Sequence, residues 1–257
     1  MPEIRLERSD AVATVTLSNP GKLNAVSVAM WEALAEVFAR LSQDEQLRCV
    51  IVRGDQGNFA AGADIEEFPQ MRSTMAQGMH YHRDTIARAL DAIAGCLHPT
   101  IAAIEGVCIG GGLEIACACD LRIAAPQARF GIPVNRLGFA LAPDELRHFL
   151  QLVGRATALE ILLEGRVFGA AEAREKGLLH RIVDDVPAEA QNSAERIARG
   201  APLAARMHKQ LVRRLTAQPQ AMREQEYAEA FAILDTQDYR EGVQSFLHKT
   251  RPVFIGK

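Results

Sequence analysis

The chain has 257 residues, 48% of them hydrophobic and 24% charged, with a formal net charge of −3. That is the composition of a globular domain with ample length for a core, and the charge gives no reason to expect nucleic acid or an anionic membrane surface as partner. No apolar run approaches the ~20 residues that span a bilayer, and no apolar h-region marks the N-terminus as secretory, so the expected setting is cytoplasmic. The five cysteines, Cys49, Cys96, Cys108, Cys117 and Cys119, are odd in number and lie in apolar context. Cys117 and Cys119 form a C-x-C that a helix would split between different faces, and no histidine pair stands nearby at ligand spacing. Buried reduced thiols are expected rather than a metal site or a disulfide.

In chain order, Ile4 to Leu17 alternates apolar and polar residues around Ser9-Asp10 and predicts a hairpin. Asn19 to Ala25 is loop chemistry. Ser27 caps a helix whose apolar positions Met30, Leu34, Val37, Phe38 and Leu41 follow the 3.6 period. Cys49 to Val52 is a short apolar run that suits a strand buried on both faces. Asn58 to Ile65 is rich in small residues and exposes backbone N–H groups after that strand. A helical, Met-rich segment spans about Met71 to Cys96, and packing or a lid over an acyl pocket would both use such residues.

The stretch Glu105–Asp120, EGVCIGGGLEIACACD, organises the rest. A strand, Ile101 to Ile104, runs into Gly110, Gly111 and Gly112, and a short apolar helix carries Glu114 in its first turn. Free N–H groups at a helix start suit an oxygen that acquires negative charge, and Glu114, about one turn on, can face the same spot as a proton-transfer group. A packing device, with Glu114 as an N-terminal cap, explains the same residues. Further on, Leu121–Ala125, Ala128–Phe130 and Leu179–Val183 read as strands, and Pro143–Val153, Ala156–Leu163 and Ala170–Lys176 as helices. From Ala188 the chain reads as helical, with one apolar stripe at Leu203, Met207, Leu211 and Leu215 and another at Tyr227, Phe231 and Leu234. The alternation predicts one α/β core over residues 1–190 and a helical extension over 191–257, whose unburied stripes suit a subunit interface. No G-x-G-x-x-G, P-loop or G-x-S-x-G signature is present.

The segments Asn19–Ala25, Phe59–Ile65, Gly106 through Glu114 with Cys119-Asp120, Phe130-Gly131, Leu152–Gly154 and the C-terminal Asp238, Glu241, Gly242, Phe246, Lys249, Pro252 and Phe254 together resemble the enoyl-CoA hydratase/isomerase (crotonase) superfamily over essentially the whole chain. The resemblance implies a spiral of ββα repeats with a helical C-terminal part, assembled as a homotrimer or a dimer of trimers. It implies an acyl-CoA thioester as substrate, with coenzyme A entering as part of it and no other cofactor. It assigns the oxyanion hole to the backbone N–H groups of Ala61 and Gly111. The substrate path would be lined by Leu23, Ala25, Ala61, Ala63, Asp64, Ile65, Gly110 and Gly111. Glu114 matches one of the two glutamates of hydratases. Asp64 is expected to brace its loop rather than react.

One departure bears on the reaction. The resemblance leads one to expect F-G-x-P-E, and this chain reads Phe130-Gly-Ile-Pro-Val134; the P-G-A-G-G run further on is replaced by Leu141–Glu145. Asp144 and Glu145 are candidate replacement carboxylates, with Asp144 expected as the second catalytic group, although acidic residues also suit a helix N-terminus for its own sake. Enoyl-CoA hydration is the leading expectation. Δ3–Δ2 isomerisation, decarboxylation, thioester hydrolysis and a catalytically impaired CoA-ester binder are the alternatives.

Overall fold

In the computed structural model, which describes residues 1–217, 225, 236–248 and 250–257, strands and helices alternate as expected through residue 182. The hairpin forms from β1 (Glu3–Ser9) and β2 (Val12–Ser18), antiparallel about Asp10, which takes a positive φ of 51°. β3 (Cys49–Gly54), β4 (Thr100–Ile104), β6 (Leu121–Ala124) and β9 (Arg181–Ile182) extend β2 in parallel, giving the order β1-β2-β3-β4-β6-β9. β4 is buried at every residue, as a parallel strand covered on both faces must be.

A second, three-stranded sheet holds β5 (Val107–Ile109), β7 (Arg129–Gly131) and β8 (Phe168–Gly169). Of these, β5 and β8 are too short to leave an alternation pattern in the sequence, and only their pairing defines them. The chain passes from one sheet to the other at Glu105-Gly106, so β4 and β5 go to different sheets before the helix Gly111–Ala118, as β6 and β7 do before the helix that starts at Pro143.

Helices Val28–Leu41 and Ala87–Gly95 pack on one side of the larger sheet. Ser27 accepts from the Met30 N–H at 3.3 Å, the cap its sequence position predicts. The helix Val186–Ala198 covers the other face through Val186, Ala190 and Ala194, and so straddles residue 190 while packing with the strands. The predicted pair of helices around residue 154 is present: the stretch Pro143–Glu164 is divided by Gly154, whose φ 72° and ψ 172° are not helical. Later helices are Pro202–Ala217 and Gln237–His248. In the first, Leu215 is exposed and Leu203, Met207 and Leu211 are half-buried. The stripe at Tyr227, Phe231 and Leu234 lies outside the described residues. All five cysteines are buried free thiols, and burial raises the pKa of each. Among the described residues no helix is long and apolar enough to cross a membrane.

Candidate active site

The glycine stretch folds for three different reasons. Gly110 holds φ 50° and ψ −124°, a conformation that turns β5 into the helix Gly111–Ala118 and that a Cβ would strain. Gly112 has no room for one, because its Cβ would stand 2.3 Å from the Ala60 carbonyl oxygen. Gly111 abuts the Trp31 ring, whose Cζ2 is 2.9 Å from where its Cβ would be. This packing holds the helix start against the loop after β3.

Gly110 donates to the Gly131 carbonyl at 2.9 Å and Glu114 to the Gly110 carbonyl at 3.0 Å. The Gly111 N–H has no acceptor among the described residues and opens the first turn, at the positive end of the helix dipole. The partner expected for it changes. The Ala61 N–H donates to the Leu23 carbonyl at 3.0 Å and is therefore spent on the fold. Ala63 N–H has no acceptor among the described residues, and its nitrogen is 3.5 Å from the Cβ position of Gly111. The pair of free donors that face one space is thus Ala63 and Gly111. The small-residue run alone could not show this, because which N–H is free depends on where the Asn19–Ala25 loop comes to rest.

That loop is held by Asn24, which takes φ 58° after Leu23 at φ 49°. The Asn24 Nδ2 donates to the carbonyls of Asp55 and Asn58, and its Oδ1 accepts from the Asn19 N–H. Ala25 and Leu23 are thereby set beside the Ala61–Ile65 loop, where Val26 bridges to Ala63. Asp64 does brace this loop: it caps the turn Ile65–Glu67 through the Glu66 N–H and pairs with Lys22 at 2.7 Å. Glu67 in turn accepts from the Val28 N–H at 2.8 Å, filling a donor that the helix start leaves open.

The donors open on a cleft of about 110 Å³, walled largely by apolar side chains. Ala61, Ala63, Ile65, Gly110 and Gly111 all line it, as does Val134, which presents the apolar wall its identity implies. Two carboxyl groups enter. Glu114 is 4% exposed and Glu145 is 3% exposed. Asp144 does not enter: its side chain is 38% exposed and paired with Arg147. Since Asp144 and Glu145 adjoin at the start of the helix Pro143–Glu164, they point about 100° apart, and only one can face inward.

Glu145 has a partner the sequence did not single out. His82 Nδ1 lies 2.6 Å from Glu145 Oε1. His82 stands in a π-helical turn, His80–Ile86, where the Ala87 N–H reaches back to the His82 carbonyl. The wider turn lets the consecutive residues Tyr81 and His82, with Ile86, all line the cleft. A lone histidine in a Met-rich helix carries no periodic signal that would have found it.

Burial pushes the Glu145 carboxyl up to about 8, against a downward pull from Arg72. Burial, then Arg72, lowers His82 to about 4. One proton bridges this contact, and burial sets both shifts against the separated charges of an ion pair. Burial also raises Glu114 well above the usual carboxylate range, and the charge of Glu145 raises it further. An acid whose folded pKa is raised binds more protons folded than unfolded, so its contribution to stability is complete below about 4.5 and is lost as pH rises toward about 8. The expected result is a melting-temperature advantage of wild type over Glu145→Gln that shrinks across that window. Thermal melts at a series of pH values check it, and a gap independent of pH would contradict the placement of the proton.

Residues 7–257 match the family model described as Enoyl-CoA hydratase/isomerase. The chain belongs to the enoyl-CoA hydratase/isomerase family. It is 34% identical to a probable enoyl-CoA hydratase of Mycobacterium tuberculosis over 98% of this chain and 97% of that protein. It is 32% identical to a putative enoyl-CoA hydratase/isomerase of Bacillus subtilis over 97% of this chain and 96% of that protein. Among solved structures, an enoyl-CoA hydratase/carnithine racemase from Magnetospirillum magneticum superposes with a TM-score of 0.96 at 45% identity, covering 100% of this chain and 97% of that one. An enoyl-CoA hydratase from Bacillus anthracis does so at 0.90 and 28% identity, covering 99% of both. The crotonase fold expected from the sequence is therefore the fold of this member of the family, and acyl-CoA esters are the substrates on which the family acts.

Proposed function

We propose that the protein is an enoyl-CoA hydratase in which Glu114 and Glu145 divide the proton transfers between them. The observation that carries this reading is the second buried carboxyl, Glu145, in the same cleft as Glu114 although the familiar position holds Val134. The thioester oxygen would accept from the Ala63 and Gly111 N–H groups, which stabilise the enolate as charge develops on it. Hydration of a 2-enoyl thioester needs one carboxylate to take a proton from water as its oxygen bonds to the β carbon. It needs one carboxyl to give a proton to the α carbon. Two carboxyl groups in one buried cleft suit that division, because the charge of one raises the pKa of the other, so that one can stand as the base while its neighbour keeps a proton to give. The reading calls for no cofactor, since coenzyme A arrives with the substrate and the steps are proton transfers. It also includes a cytoplasmic setting and a homotrimer or dimer of trimers, which the half-exposed stripe at Leu203, Met207 and Leu211 supports.

Δ3–Δ2 isomerisation is the second reading, favoured by the apolar Val134 wall, which offers a water molecule no charged partner. Incubation with crotonyl-CoA and with 3-hexenoyl-CoA, followed by absorbance and mass, separates them. Water added to crotonyl-CoA at about 10 s⁻¹ or faster supports hydration. Double-bond migration without a mass gain supports isomerisation. Under the hydratase reading Glu145→Gln should cost roughly 10²-fold or more in kcat, while Asp144→Asn, outside the cleft, should cost little. Equal losses in the two variants would contradict the assignment.

A further inference from the structure

Two hydrogen-bond donors at the cleft have nothing to donate to. The Tyr81 hydroxyl and the Trp31 indole N–H are both buried side-chain atoms without a hydrogen-bond partner among the described residues. Each residue is 0% exposed, and each lines the cleft. Buried polar atoms are nearly always satisfied, so two orphans bordering one cavity point to something that fills it. The Tyr81 ring packs edge-on against the His82 ring, with centroids 5.1 Å apart, which sets it beside the Glu145–His82 contact. Trp31 Cζ2 sits 2.9 Å from the Cβ position of Gly111, and Cζ2 is bonded to the ring carbon that carries the N–H, so that donor is near the thioester end. The thioester oxygen itself is already provided for by the two backbone donors. An acyl chain made only of carbon and hydrogen would expel water from the cleft and leave both side-chain donors unpaired.

We propose that the acyl group this protein selects carries an oxygen acceptor of its own, which the Tyr81 hydroxyl and the Trp31 N–H receive. This inference rests on the acyl-CoA reading above and names the substrate class within it. A site built to pair a substrate oxygen rejects the analogue that lacks it far more strongly than an apolar pocket rejects a missing methylene, because the analogue strands the site's donors. Arg72 adds a bias toward an anionic oxygen. Its guanidinium lies over the rings of Phe68 and Phe139, at 4.5 and 4.0 Å from their centroids, and both rings line the cleft.

Calorimetric titration with saturated thioesters, which can be neither hydrated nor isomerised, reads this selectivity apart from the reaction. The probes are hexanoyl-CoA, monomethyl glutaryl-CoA and glutaryl-CoA. Wild type should bind at least one of the oxygenated esters about tenfold or more tighter than hexanoyl-CoA, and Tyr81→Phe should reduce that ratio by about fivefold or more. Glutaryl-CoA binding tighter than its methyl ester would uphold the proposal with a carboxylate as the oxygen; the reverse order would uphold it with a neutral carbonyl. A preference for hexanoyl-CoA, or a preference for oxygen that Tyr81→Phe leaves intact, overturns it. If none of the three esters binds, the acyl-CoA reading falls with it. If they bind selectively but no enoyl ester is turned over, only the reaction assigned above fails.

Discussion

Glu114→Gln should lower kcat by roughly 10²–10⁴-fold, the ordinary worth of a positioned acid–base group, while saturated acyl-CoA esters still bind. Glutamine keeps the volume and can keep a hydrogen bond, so the fold around the helix Gly111–Ala118 has no cavity to absorb. What it removes is the exchangeable proton at a carboxyl that burial and the nearby Glu145 hold well above its usual range. Stopped-flow turnover with an enoyl-CoA, paired with calorimetric affinity for a saturated ester, makes the comparison. Should turnover survive at its full value, the proton transfers belong to Glu145 and His82, and the double variant Glu114→Gln/Glu145→Gln would then locate them. Loss of affinity together with turnover would instead mean that Glu114 shapes the pocket more than it reacts.

The second large effect concerns the two backbone donors. Gly111→Ala places a methyl group 3.5 Å from the Ala63 nitrogen and 2.9 Å from Trp31 Cζ2. The methyl crowds the space in which a thioester oxygen would meet both N–H groups, and the ring must shift to admit it. Removing or misplacing one oxyanion donor costs about 10²–10³-fold in kcat, so a loss of at least that size is expected. A circular-dichroism spectrum and melt establish that the variant is folded. A folded variant with undiminished turnover would show that the thioester oxygen lies elsewhere. Ala61 supplies the contrast, because its N–H already donates to Leu23. A change there should act through the seating of the Asn19–Ala25 loop and appear first in affinity for the CoA ester.

Much of this arrangement was legible from residues alone wherever local chemistry sufficed. The hairpin about Asp10, the helix capped by Ser27, the buried strand at Cys49 and the glycine turn before Glu114 all follow from period, propensity and caps within a few residues of one another. The break at Gly154 was visible because a glycine with the φ it adopts can end a helix without cost. Glu114 was legible for the same reason, as a carboxylate one turn past free helix N–H groups. The absence of a glutamate at Val134 was equally plain, and it directed attention to Asp144 and Glu145.

What lay beyond the sequence were the properties that arise only when distant segments meet. The choice of Ala63 over Ala61 as a free donor depends on the Leu23 carbonyl reaching across to Ala61. The choice of Glu145 over Asp144 depends on which side of the helix start faces the cleft, and on His82, sixty-three residues away, being there to hydrogen-bond with it. Tyr81 and His82 share the cleft because the π-helical turn alters the angle between them, which no 3.6 period anticipates. The raised pKa values of Glu114 and Glu145 come from burial by side chains drawn from many elements. Sequence by itself therefore determined the family, the spiral of strands and helices, and the first carboxylate, because each is written in local pattern. Only the tertiary structure decided which N–H groups are free, which second carboxyl enters, and which donors are left waiting for an oxygen, because hydrogen-bond satisfaction and desolvation belong to contacts between segments and not to any one of them.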